Sequence, residues 1–243
     1  MTDPLFLAEF DDVVRPGALV VVAGDEAHHA VSVKRIARGE SVLLSNGHGL
    51  GLRGTVTEVA KRQLSVEVLE LIADEAPRLG WGVVQALAKG DRSDLAVQMA
   101  TELGAQRIIA WQASRSIVRW QGERGTKALD KWRATAREAA KQARRFLVPE
   151  ISAASTAQVV AAIAEADVAL VLHEDAEQHI AHVELPEEGL GLVIVGPEGG
   201  ISPEELDAFV AAGARPVLIS DGVLRTSTAG AVALGQLDVL ARR

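Results

Sequence analysis

Among its 243 residues the chain has no cysteine and no tyrosine. Without thiolates it carries no disulfide scaffold, no cysteine nucleophile and no thiolate-bound metal or cluster. Aromatic residues make up only 3% of the sequence. The core must therefore be built from Ala, Val, Leu and Ile. The aromatic platforms on which many single-strand binders stack bases are not expected either. Long apolar runs are missing as well: a stretch such as 168–172 falls far short of the roughly 20 residues that span a bilayer. The first residues, Met1-Thr2-Asp3-Pro4, hold no basic segment, so no secretory leader is expected. The composition, 48% hydrophobic, predicts a soluble, cytoplasmic, globular protein without a membrane partner.

Positive charge is scarce overall, with a net charge of −8, but it is unevenly placed. Residues 1–77 carry a net −5, residues 78–150 a net +7 and residues 151–243 a net −10. Within 115–145 there are ten basic and three acidic side chains. A basic stretch in an acidic protein predicts a surface for an anionic partner.

Residues 1–73 read as short strands at 20–22, 41–44, 50–59 and 64–71, with turn chemistry at Asn46-Gly47. This predicts a small β-barrel or sandwich domain. The polar, proline-bearing 74–78 reads as a linker to a second domain, 78–243. There, apolar runs at 83–88, 107–111, 168–172, 192–195 and 217–219 alternate with helical segments. The helices are expected at about 92–103, 127–146, 155–165, 203–212 and 227–242. That alternation predicts an α/β fold with a mainly parallel sheet. In the helix of 127–146, Trp132, Ala136, Ala139, Ala143 and Leu147 form an apolar stripe. Arg133, Arg137, Lys141 and Arg144 or Arg145 form a cationic one at i, i+4 spacing.

Two strand-to-helix loops carry the strongest chemical signal. In the first, Gly196-Pro197-Glu198-Gly199-Gly200 follows an apolar strand, and Ser202-Pro203-Glu204-Glu205 reads as a capping box. Glycines at the carboxyl end of a parallel strand let backbone groups approach a ligand. A tight connection alone would need one glycine. In the second, Ile219-Ser220-Asp221-Gly222-Val223-Leu224-Arg225-Thr226-Ser227-Thr228-Ala229 leads into a last helix. Its small residues Gly230, Ala231, Ala233 and Gly235 predict a close crossing or a dimer face. Gly47-His48-Gly49-Leu50-Gly51 lies among strands and is no dinucleotide fingerprint, and no P-loop is present. His173, His179 and His182 beside Glu174 read as a solvated edge, so no metal is expected. His28-His29 with Lys34 and Arg35 is a surface cluster suited to phosphate.

The two late loops, in this order near the C-terminus, resemble the RsmE family of SPOUT-class methyltransferases. The resemblance extends to His28-His29 through Arg35, to 86–92 with Lys89, to Thr101-Glu102-Leu103-Gly104, to Ser114-Arg115-Ser116 and to 138–145. It implies S-adenosyl-L-methionine-dependent methylation of uridine N3 in 16S rRNA of the small ribosomal subunit. It also implies a homodimer, a PUA-like N-terminal β-barrel and a trefoil-knotted C-terminal domain, one of the rare exceptions to unknotted topology. The cofactor is then expected at Leu172 and His173, at Gly196, Pro197, Glu198, Gly199 and Gly200, and at Ile219, Ser220, Val223, Leu224, Ser227, Thr228 and Ala229. RNA is expected at His28, Arg35, Lys89, Arg115, Arg133, Arg137, Lys141 and Arg144. Arg145, and alternatively Arg225, is expected to stabilise charge on the base. Two positions depart from the family pattern. Ser227 stands where the family has glutamate, and 219–222 replaces its Leu-Gly-Pro-Arg. A non-catalytic RNA-binding or assembly factor on the same fold is the alternative.

Overall fold

A computed structural model describes residues 3–73 and 77–242. Most of the linker expected at 74–78, namely 74–76, lies outside the described residues. The chain divides into two compact units, Met1–Ala76 with Ala140–Val148, and Pro77–Ala139 with Pro149–Arg243. Residues 140–148, which the sequence assigns to the second domain, thus belong to the first unit.

The first unit holds strands β1 (Leu5–Leu7), β2 (Leu19–Ala23), β3 (Ser41–Ser45), β4 (Leu50–Ala60) and β5 (Gln63–Ala73). They pair in the order β1-β3-β4-β5-β2, antiparallel except for β1 on β3. Phe6 joins the aliphatic Val22, Leu44, Leu52, Leu64 and Val66 in one core. The core is thus not purely aliphatic: most of the few aromatics lie inside, Trp111, Trp132 and Phe209 of the second unit among them. A short helix α1 (Gly24–His28) runs into a π-helical turn at 29–33, a piece the strand pattern did not announce. Phe146 packs with Leu5 and Leu43, and any side chain at Gly51 would overlap its ring. This contact is the physical reason that 140–148 goes with the first unit.

The second unit is a six-stranded, wholly parallel sheet in the order β11-β9-β10-β6-β7-β8. Its strands are β6 (Leu79–Ala86), β7 (Arg107–Trp111), β8 (Glu150–Ala154), β9 (Val168–Leu172), β10 (Gly189–Val195) and β11 (Arg215–Val217). The helices are α2 (Arg92–Glu102), α3 (Gly122–Ala143), α4 (Thr156–Glu165), α5 (Pro203–Ala211) and α6 (Thr226–Leu240). β6 is buried at every position, as a central parallel strand must be. Because all six strands run the same way, their carboxyl-end loops gather along one edge of the sheet.

The close crossing expected of the small residues of α6 is present at two of them. A Cβ at Gly230 would meet Val195 Cγ2 at 3.4 Å, and Ala233 is fully buried. These two let α6 lie close on its own sheet, whereas a Cβ at Gly235 would meet nothing within 4 Å.

Lys141 does not extend the cationic row of α3. It is buried, with its Nζ 2.8 Å from Glu26 Oε1 on α1. Glu26, distant in sequence, gives the buried Lys141 its partner, while Ala143 of the expected apolar stripe is exposed. Lys141→Ala should therefore lower stability in urea unfolding by about 2 kcal/mol, the cost of leaving a buried charged partner unmatched. The salt dependence of RNA binding should stay as in the parent. A flattened salt dependence with unchanged stability would return Lys141 to the surface.

Candidate functional site

A cavity of about 790 Å³ opens at the carboxyl edge of the parallel sheet. Three loops make most of its wall, those following β9, β10 and β11. Gly196, Gly199, Gly200 and Gly222 are among its lining residues, and at glycines a ligand can approach N–H and C=O groups.

The loop after β10 is held from all sides. Gly200 has φ +73°, a left-handed conformation that glycine adopts without cost, and its N–H donates to Pro197 O at 2.9 Å. At Gly196 a Cβ would come within 2.8 Å of Ile201 Cγ1. The Gly196 carbonyl accepts from Thr226 Oγ1 at 2.7 Å, and that oxygen accepts from Gln85 Nε2 at 2.9 Å. Gln85 is buried in β6, so this chain of bonds ties the central strand, the loop and the start of α6 together. Arg115, in the loop after β7, donates to Gly199 O at 3.3 Å and to Ile201 O at 3.4 Å.

Glu198 Oε1 accepts from the Lys89 N–H at 3.1 Å and from Arg92 Nη1 at 3.2 Å. Burial pushes this carboxyl up. The N–H groups of Glu198 and Lys89 and the Arg92 guanidinium outweigh it and hold the carboxyl below its usual range. Glu198 therefore stays ionised at neutral pH and fastens the loop to the start of α2.

Downstream, the capping box forms: Ser202 Oγ accepts from Glu205 N at 3.3 Å and Glu205 Oε2 from Ser202 N at 3.4 Å. The buried Glu205 also accepts from Ser114 N and Ser114 Oγ, both at 2.8 Å, and from Thr156 Oγ1 at 2.9 Å. One carboxylate thus locks the loops after β7, β8 and β10 to one another.

The other two loops are cross-braced. The His173 N–H donates to Val217 O at 3.2 Å, and the Ile180 N–H to Leu218 O at 2.8 Å. Gln236 of α6 donates to Ile219 O at 3.0 Å. The rim carries both signs of charge: Glu174, Asp175, Asp207 and Asp221 against Arg92, Arg115 and Arg225.

The structure places the candidate residues unevenly. Leu172, His173, Gly196, Pro197, Glu198, Gly199, Gly200, Ile219, Ser220, Val223, Leu224 and Ala229 all line the cavity, and so does Arg225. Ser227 and Thr228 do not. Both sit in the first turn of α6, where Ser227 is buried and the Thr228 N–H bonds Arg225 O. Arg115, expected on RNA, lines the cavity and braces its loop.

Arg145 lies in the first unit, outside the cavity lining, and its N–H donates to Ala140 O at 2.9 Å. His28, Arg35, Lys89, Arg133, Arg137 and Arg144 are exposed. Arg133 is bonded to Asp130 at 2.9 Å. Arg92, Asp207 and Thr226 are cavity residues that the sequence did not single out. The position of Arg92 and Arg115 after parallel strands was the available signal.

The comparisons agree with this geometry. Residues 75–238 match the RNA methyltransferase domain family and residues 22–69 the RNA methyltransferase PUA domain family. The chain is 43% identical over 238 residues, 96% of this chain and 91% of the relative, to ribosomal RNA small subunit methyltransferase E of Mycobacterium bovis. It is 28% identical over 227 residues to the protein of that name in Bacillus subtilis, covering 89% of this chain and 88% of the other. It superimposes with a TM-score of 0.87 and 26% identity on a methyltransferase of Legionella pneumophila solved with S-adenosylmethionine bound, over 99% and 98% of the two chains. With a PUA domain ahead of a methyltransferase domain on a parallel sheet, the chain belongs to the RsmE family of RNA methyltransferases.

Proposed function

We infer that this protein transfers a methyl group from S-adenosyl-L-methionine to N3 of a uridine in 16S rRNA of the small ribosomal subunit. The observation that carries this is the glycine-walled cavity at the carboxyl ends of β9, β10 and β11. The bound methionine derivative would supply a methyl group already activated on a sulfonium. The residues fit it: Gly196, Gly199 and Gly200 bring no side chain to the wall, and the carboxylates of the rim suit its positive charges. The chain's own part is orientation and electrostatics. Loss of the N3 proton to solvent would leave negative charge on the ring carbonyls, and Arg225 stands at the cavity to stabilise it.

Ser227 lies outside the cavity lining, which supports the catalytic reading over a binding-only factor. Among the described residues no helix is long and apolar enough to cross a membrane. An rRNA substrate supports a cytoplasmic location. Calorimetry with S-adenosylmethionine tests the cofactor reading, and an absence of binding heat would refute it.

RNA would lie on the exposed cations of α3 and of the first unit. Arg133→Ala with Arg137→Ala should flatten the salt dependence of RNA binding by about one to two units, since each phosphate contact contributes about 0.7–0.9. Cofactor affinity should not change. An unaltered slope would remove this helix face from the interface.

A homodimer is part of the same reading. Val239 on α6 is one of several exposed apolar side chains of the second unit, and it lines neither cavity. Light scattering should give a dimer at micromolar concentration, and Val239→Asp should weaken it. A monomeric parent would contradict the dimer.

A further inference from the structure

A second, more open groove of about 880 Å³ lies between α2 and α3, lined by Lys89, Asp91, Arg92, Gln98 and Thr135 among others. Its chemistry is mixed. Lys89 is exposed, and the Arg92 side chain is 44% exposed. Asp94, also on the groove, is engaged by Lys131 Nζ at 2.5 Å. Gln98 Nε2 donates to Glu102 Oε1 at 2.9 Å and keeps a second N–H and its carbonyl oxygen; Thr135 adds a hydroxyl. Arg92 lines this groove and the cofactor cavity alike, and its guanidinium reaches Glu198 of the glycine loop at 3.2 Å.

We propose that this groove seats a ribose-phosphate unit of the substrate RNA next to the target nucleotide, with the phosphate on Lys89 and Arg92 and the 2′-hydroxyl on Gln98 and Thr135. This rests on the RNA methyltransferase reading above. An ammonium and a guanidinium lining one groove suit a phosphate oxygen pair. A 2′-hydroxyl both donates and accepts, which an amide and a hydroxyl together can match. Asp91 adds a further acceptor for a hydroxyl. Arg92 then joins two tasks, bracing the cofactor loop through Glu198 and marking where the RNA strand passes the cavity mouth. The groove also gives the protein a means of preferring RNA to DNA, because the 2′-hydroxyl is the difference between the two.

The test uses the full-length protein saturated with S-adenosylmethionine. Anisotropy measures binding of a 20-nucleotide single-stranded 16S rRNA fragment, and of DNA of the same sequence, over a range of salt. Lys89→Ala should lower the slope of log affinity against log salt by about 0.7. Arg92→Gln should do the same, whereas Arg92→Lys should retain it. Gln98→Leu with Thr135→Val should weaken RNA binding about fivefold, the value of one or two modest hydrogen bonds, and leave DNA binding as it was. Slopes and RNA-to-DNA ratios that match the parent in every variant would overturn the proposal. So would an effect of Arg92→Gln confined to cofactor affinity. Failure of the functional reading would look different: the unaltered protein would then bind RNA in the groove without methylating small-subunit RNA.

Discussion

Gly196→Val should abolish methyl transfer while leaving the second unit folded. The Cβ alone would stand 2.8 Å from Ile201 Cγ1, and the added methyl groups would need still more room. The loop cannot retreat easily. Its carbonyl at 196 is bonded to Thr226, its Glu198 to Lys89 and Arg92, and its carbonyls at 199 and 201 to Arg115. The strain would fall on the backbone that faces the cofactor. A displacement of about 1 Å at a reacting centre costs on the order of 100-fold in rate, and the loss here should be at least that. Circular dichroism would check the fold, and single-turnover transfer with calorimetry would check the function. A variant with parental cofactor affinity and rate would show that the glycine loop does not hold the cofactor.

Arg225→Ala should lower the single-turnover rate about 100-fold at saturating RNA and cofactor, a typical loss for one donor aimed at developing charge. Arg225 precedes the first turn of α6 with extended backbone and lines the cavity. We therefore expect Arg225 to carry the role that the resemblance gives to either residue. Arg145→Ala should then reduce RNA affinity but keep the full rate at saturation. The reverse pattern, a full rate for Arg225→Ala and a large loss for Arg145→Ala, would transfer the electrostatic role to Arg145.

The parts of the fold legible in the sequence are those set by local pattern. β7 and β9 fall on the apolar runs 107–111 and 168–172 to the residue. α5 begins at its capping box, which bonds reciprocally across Ser202 and Glu205. The loops after β9, β10 and β11 could be found because glycines and hydroxyls punctuate strand and helix there. What was missed depends on partners far away in the chain. β8 buries only Ile151 among its five residues, so it exists because β7 offers it a parallel edge. β1 is three residues long and is defined by its pairing with β3. Spacing put Lys141 on the cationic face of α3, whereas it is buried with Glu26, 115 positions away, as its partner. The bond between Arg92 and Glu198 spans 106 positions. No window of sequence shows that pair, although it is what joins the cofactor loop to α2.

The most direct test of the central claim is nucleoside mass mapping of 16S rRNA from unmodified small ribosomal subunits after incubation with the purified protein and S-adenosylmethionine. The account predicts one new methyl group, on N3 of a single uridine, present with the cofactor and absent without it. Small-subunit RNA that gains no methyl group while the protein binds the cofactor, or a methyl group on another base or on ribose, would contradict it.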